Sequence, residues 1–185
     1  GHKYKPLFPM ISLTHWVVDE LHVILRITDR LWLLLVSEID VKTNSRIRNI
    51  ISQEMLRIHV HFNWWEDQNT KMWTSTSLTG VDKLKVLQNF NLDLLFLNKS
   101  RAQLIRRLWN GFNELYEDMH KQRINGVEFK KKALEWINLF LTPSSGNPNH
   151  PQTFIKGLYR PYDITPYIHT LVYHIPEFLN LHSNF

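Results

Sequence analysis

The stretch HWVVDELHVILRITDRLWLLLVSEI, residues 15–39, constrains the fold of this chain more than any other. It is apolar enough to be buried, yet Asp19, Glu20, His22, Arg26, Asp29 and Arg30 interrupt it too often for a membrane span. A buried helix at the centre of a globular core satisfies both facts. Thr14 is a candidate N-cap, and Val17, Leu21, Ile24, Leu25, Thr28, Leu31, Leu35 and Ile39 recur at helical spacing to the end of the stretch. Apolar residues occupy most of the circumference, as expected of a central helix. Asp19, His22, Arg26 and Asp29 advance by three, four and three residues, which places them on one stripe. A polar stripe on such a helix is a satisfied buried network, a narrow solvent face, or the wall of a functional cleft.

A chain of 185 residues, 43% of them hydrophobic, can bury one sizeable core without requiring a second domain. Six Gly and eight Pro are few, and seven Trp are many, which separates this composition from a disordered one. The formal charge of +5 favours polyanionic partners modestly. Cysteine is absent, which excludes disulfides, thiolate catalysis and any Cys-containing zinc site made wholly within these residues. Metal binding would use His and carboxylates or borrow ligands. No secretory signal is visible, and the first residue is Gly1 rather than Met, so a fragment or processed piece is expected.

The rest of the chain reads as helices. A second helix starts near residues 43–45 and carries Ile47, Ile50, Ile51, Met55 and Ile58. The segment IHVHFNWWEDQNTKMWTSTSLTG then loses the helical period and is expected to be loop or irregular structure. Its His59 and His61 form an H-x-H pair that can chelate a metal from a strand, but no third ligand lies nearby in sequence. Trp64, Trp65 and Trp73 make an aromatic cluster fastening a long connection the stronger expectation. TGVDKLKVLQNF restarts a short helix. NKSRAQLIRRLWNGFNELYEDMHKQ is expected to be a surface helix capped by Ser100, with Leu104, Leu108, Phe112, Leu115 and Met119 as its apolar stripe. Arg101, Arg106 and Arg107 give its first half a basic face, for phosphates or for plain solvation. GVEFKKKALEWINLFL is a further amphipathic helix, followed by a loop over 142–164 that contains TPSSGNPNHP. Thr165 and Pro166 then supply an N-cap and a first-turn proline for a last helix carrying His169 and His174. The expected class is all-α: a single irregular helical domain, residues 1–185, of about six helices, with no convincing strand ladder.

Several chemistries fall away. The six Gly are isolated, so no phosphate loop is present, and neither G-x-S-x-G nor H-E-x-x-H occurs. What remains is the pair His169 and His174. On a regular helix, residues five apart diverge by about 140°, so the two rings cannot meet one metal unless the helix ends or unwinds there. Pro176 makes an ending plausible. The H-x₄-H spacing suits a tetrahedral zinc site, but without cysteine it is only half of one.

KPLFPMISLTHWVVDELHVILRITDRLWLLLVSEI together with YDITPYIHTLVYHIPEFL resembles the V(D)J recombinase catalytic subunit and its relatives among Transib-type DNA transposases. The resemblance rests on an Asp-x-Leu-His segment, matched by Asp19, Leu21 and His22, and on a His-x₄-His-x-Pro-Glu segment, matched by His169, His174, Pro176 and Glu177. The separation of the two motifs is close to the family's, and the intervening helices match faintly.

The resemblance implies a ribonuclease-H-like core whose three acidic residues hold two divalent metals, magnesium or manganese, for in-line displacement at phosphorus. A helical, zinc-containing insertion separates the second acid from the third, and this chain looks like that insertion. The catalytic acids would then lie outside it, and none is assigned here. His169 and His174 match structural zinc ligands whose Cys partners lie upstream; Asp19 and His22 match polar residues with a supporting role near the catalytic centre. DNA, the remainder of the transposase core and, as one option, a second copy of the chain are the implied partners, in the nucleus, with no membrane. Phosphate contacts are expected from Arg101, Arg106, Arg107, Lys130, Lys131 and Lys132. The alternatives are a helical protein-interaction module, as a domesticated transposon remnant, and an independent metal hydrolase built on Asp19, His22, His169 and His174.

Overall fold

The computed structural model describes residues 19–121, 124–150 and 152–182. Helix α1 spans Glu20–Glu38, and its cap is Asp19, whose carboxylate accepts from the His22 amide at 3.1 Å; Thr14 lies outside the described residues. Val23, Ile24, Ile27, Leu31, Leu34 and Leu35 face the core. Leu21 and Leu33 are each 56% exposed, so burial is one-sided and not around most of the circumference as expected. Neighbouring elements cover only one side of α1, and leucine at an uncovered position simply stays in water.

Helix α2, Ser45–Arg57, is capped by Asn44 and buries Ile51 and Met55. It stops in a Schellman turn: His59 takes the left-handed conformation (φ 56°) in the place glycine usually holds, with bonds from the His59 amide to Leu56 and from the Val60 amide to Met55. Met55 and Val60 are both buried, completing the motif. The next segment is not irregular throughout. Strands β1 (Trp64–Glu66) and β2 (Trp73–Ser75) pair antiparallel, Trp65 opposite Thr74. The hairpin tip is closed by Asp67, which accepts from the Asn69 and Thr70 amides. Edge-on ring contacts run from Trp64 to Phe62, to Trp32 of α1, to Phe90, and Arg48 of α2 lies 3.7 Å over Trp73. Three-residue strands lie below the length at which alternation is legible, and these rings stabilise them.

Helix α3 (Gly80–Asn89) is capped by Thr79, and α4 (Lys99–Met119) by Asn98 rather than Ser100, whose own amide donates to Asn98. Helix α4 is amphipathic as expected, with Gln103, Arg107, Asn110, Glu114 and Glu117 exposed on its outer face and an apolar stripe turned to the core. Ala102, Ile105, Leu108, Trp109, Phe112, Leu115 and Met119 are all within 2% of complete burial. Helix α5 (Gly126–Phe140) lies against it, with the Trp136 indole donating to the Leu108 carbonyl at 2.9 Å. The loop after α5 is tied back by bonds from the Leu158 amide to Thr142 and from the Tyr159 amide to Phe140. A 3₁₀ turn at Pro161–Asp163 then leads to α6, capped by Thr165 and built from Pro166–His169, a π turn at Thr170–His174, and Ile175–His182. The protein is thus mostly helical, with one two-stranded sheet among the described residues. A single hydrophobic cluster takes residues from all six helices. Among the described residues, no helix is long and apolar enough to cross a membrane.

Gly126 sets the approach of α5 to α6. A Cβ there would lie 2.5 Å from the Pro176 carbonyl and against the Asn180 side chain. Gly126→Ala is therefore expected to lower stability by about 1–3 kcal/mol through overpacking, read as a fall in Tm, while far-UV circular dichroism stays helical.

Candidate functional site

The π turn decides how His169 and His174 relate. An α-helix would force the Pro176 ring against the carbonyl four residues back, and proline has no N–H to bond it. Widening the preceding turn accommodates both, and the Ile175 amide donates to Thr170, five residues back. The helix neither ends nor unwinds at Pro176, contrary to the expectation, but continues to His182. In a π turn, residues five apart return to one face, and the two imidazole centroids stand 5.1 Å apart.

That separation matches two imidazoles on one tetrahedral zinc ion: nitrogens about 2.0–2.1 Å from the metal place the ring centres about 5 Å from each other. His174 Nδ1 lies 3.5 Å from the Glu177 carboxylate, the kind of contact that orients a ligating imidazole so that its other nitrogen faces the metal. The His169 ring rests on Tyr173 at 4.8 Å, and the Lys130 ammonium of α5 lies over that Tyr173 ring, 5.4 Å from its centroid. Both histidines are exposed, on an open surface. The residues fit half a zinc site. Among the described residues, no group of three or more His, Asp or Glu side chains is gathered closely enough to hold a metal.

Asp19 and His22 pair with each other at the start of α1, Oδ2 to Nδ1 at 2.5 Å, both more than half exposed. Hydrogen bonds from the His22 amide, then from its ring, hold the Asp19 carboxyl below its ordinary value. The pair is first of all a helix cap. Arg26 and Asp29 continue the stripe along a solvent face, where Asp29 also receives the buried Lys83 ammonium at 2.7 Å. His59 and His61 are exposed, the first spent on ending α2.

The expected basic residues divide. Arg101 does not lie on an exposed face. It is buried, grips Glu38 with two nitrogens and donates to the Gly157 carbonyl at 2.8 Å. The sequence pattern shows why: residues 101, 105, 108 and 112 follow helical spacing, so Arg101 begins the buried stripe. Arg106 is half-buried and donates to the Leu87 and Phe90 carbonyls; burial lowers its guanidinium below the ordinary value, with Asp93 opposing. Lys132 bonds Asp118 at 2.7 Å. Of the six, Arg107 and Lys131 are exposed, with Lys130 half-exposed beside the histidines.

Sequence patterns missed two buried acids that organise cations of the fold. Glu54 accepts from Arg57 at 2.6 and 2.8 Å and from the Asn91 amide at 2.7 Å. Burial raises its carboxyl, but those bonds outweigh the effect and leave it lowered. Asp118 is held likewise, raised by burial and lowered further by Lys121 and Lys132. An acid followed at i+3 by a cation was the available signal in both cases.

Compared with protein-family models, curated proteins and solved structures, the chain gives no match. What the fold defines is therefore the class alone, a mostly helical protein.

Two variants separate the structural arginines from the surface ones. Arg101→Ala leaves the nearly buried Glu38 carboxylate with only the long Lys156 contact and is expected to cost about 3 kcal/mol, whereas Arg107→Ala should change stability by less than about 0.5 kcal/mol; urea unfolding measures both. Asp118 adds a pH signature. A carboxyl lowered by folding stabilises above its unfolded value and loses that contribution as pH falls through the folded one. Asp118→Asn is expected to be less stable at pH 7 and to show a shallower acid limb below about pH 4, in thermal melts across a pH series.

Proposed function

We propose that this chain is the helical insertion of a DNA transposase or recombinase of the Transib and V(D)J kind, working with the rest of a two-metal catalytic core and not catalytic alone. One observation carries the proposal: the π turn sets His169 and His174 on one face at the spacing of two ligands on one zinc ion. The motif resemblance at Asp19, Leu21, His22 and at His169, His174, Pro176, Glu177 supplies the rest. In this proposal, the two histidines would be half of a structural zinc site completed by a Cys pair from polypeptide outside these residues. Bound zinc would lock the wide turn of α6 in place. The reacting phosphate would be served by magnesium or manganese on acids outside this chain. Arg107, Lys130 and Lys131 remain as sequence-independent phosphate contacts, a smaller basic surface than six cations would make. Arg101, Arg106 and Lys132, which is bonded to Asp118, drop out of that set.

A helical interaction module is the second proposal, favoured by Leu94 and Leu97, both exposed in the turn before α4. The two part on zinc. Calorimetric titration of this chain should show weak zinc binding that disappears in His169→Ala, and an upstream extension bearing a Cys pair should convert it to tight one-to-one binding. Tight one-to-one binding by this chain alone, or zinc binding indifferent to His169→Ala, would overturn the insertion proposal.

A further inference from the structure

A second site lies away from the histidines. The end of α1, the exit of α5 and the returning segment Lys156–Asp163 enclose a cleft of about 520 Å³, within the span of about 300–1,000 Å³ typical of small-ligand sites. Its charges do not balance. Two nearly buried carboxylates, Glu38 and Asp163, are each satisfied by an arginine from within the fold: Arg101 grips Glu38 with two nitrogens, and Arg30 meets Asp163 at 2.6 Å. Two more cations then stand at the mouth. Lys156 is 3.6 Å from Glu38 and Arg160 is 4.0 Å from Asp163, with side chains 59% and 72% exposed. Four cations against two carboxylates leave a formal surplus of two positive charges, both on the solvent side.

Tyr159 lines the same cleft. Its residue is 7% exposed, and its hydroxyl, sealed from solvent, has no hydrogen-bond partner in the protein. Burial raises the phenol strongly, and Glu38 and Asp163 add to that against Arg101, so the group stays a neutral O–H donor. A buried donor with nothing to donate to is costly, and it belongs to a residue that lines this cleft. Polar residues Ser37 and Ser144 complete the walls.

We propose that this cleft binds a small phosphate-bearing molecule, its phosphate drawn to the mouth that Lys156 and Arg160 line and its body lying over Tyr159. Both cations make only long contacts to acids already neutralised, and Arg160 also lies 4.1 Å over the Tyr162 ring, a face contact that leaves the N–H edge of its guanidinium available. An ammonium and a planar guanidinium each suit phosphate oxygens. Carboxylates at the back select against deeper entry of the anion, so the phosphate stays at the mouth and the neutral part of the ligand faces inward. The site is independent of His169, His174 and zinc, so the two proposals fail separately.

The test titrates isotopically labelled protein with inorganic pyrophosphate, ribose 5-phosphate and, as a separate arm, a short duplex DNA. Saturable amide shifts are expected for the two small phosphates, centred on Ser144 and on residues 156–160. Lys156→Gln combined with Arg160→Gln should weaken both by about tenfold with Tm unchanged. Lack of saturation, shifts centred elsewhere in the native protein, or affinity unaltered in the double variant would overturn the proposal. Saturation by duplex DNA alone would overturn it as well, by making the surface a strand contact instead of a small-ligand cleft. The shift map of the native protein decides the matter even if the variant is destabilised.

Discussion

The arrangement of helices hangs on one buried guanidinium. Arg101 opens α4 on its core side, with Glu38 at the far end of α1 and the Lys156 and Gly157 carbonyls as its acceptors. A charge with so little exposure is tolerated only when paired and fully hydrogen-bonded. Meeting that requirement brings together the end of α1, the beginning of α4 and the returning loop. Geometry then follows outward: the loop is held at Thr142 and Phe140 by its own amides, Arg30 holds Asp163, and the start of α6 is positioned three residues later at Pro166. Even the electropositive cleft is a consequence, because the arginines that neutralise Glu38 and Asp163 leave Lys156 and Arg160 in excess.

A second constraint acts within α6. Pro176 cannot join a regular helix without displacing a carbonyl of the previous turn, and the chain resolves this by widening that turn rather than ending. The same residue exposes its own carbonyl to Gly126, where only a missing Cβ allows α5 to come so close. The histidine face and the α5–α6 contact therefore share one cause. Lys130, one turn beyond Gly126 on α5, is carried by that contact to the Tyr173 ring beside His169.

Much of the helical layout was legible from periodicity and caps. Asn44, Thr79, Asn98, Asn125 and Thr165 each precede an apolar repeat, whereas two caps differ from the expected residues: Asp19 caps α1 in place of Thr14, and Asn98 caps α4 in place of Ser100. The hairpin was not legible, because three residues cannot display alternation and its support comes from rings distant in sequence, Trp32 and Phe90. Arg101 was misjudged for a similar reason. A cation at a core-phase position is counted as surface until a buried acid is known to face it, and Glu38 is separated from it by 63 residues. For the candidate site, the histidines and their spacing were visible, whereas the i to i+5 turn that unites them was not.

The amino-acid sequence by itself determined the helical class, the positions of most helices, the lack of a thiol within these 185 residues and the two imidazoles with Glu177 close behind. Those depend on local forces: side-chain period, capping hydrogen bonds and the inventory of functional groups. Only the tertiary structure decided which cations face water, which acids are buried, whether His169 and His174 share a face, and where a cleft opens. Those depend on which distant residues satisfy a buried charge or a missing hydrogen bond, and a desolvated group takes its partner from whatever the packing brings within 3 Å or so of it.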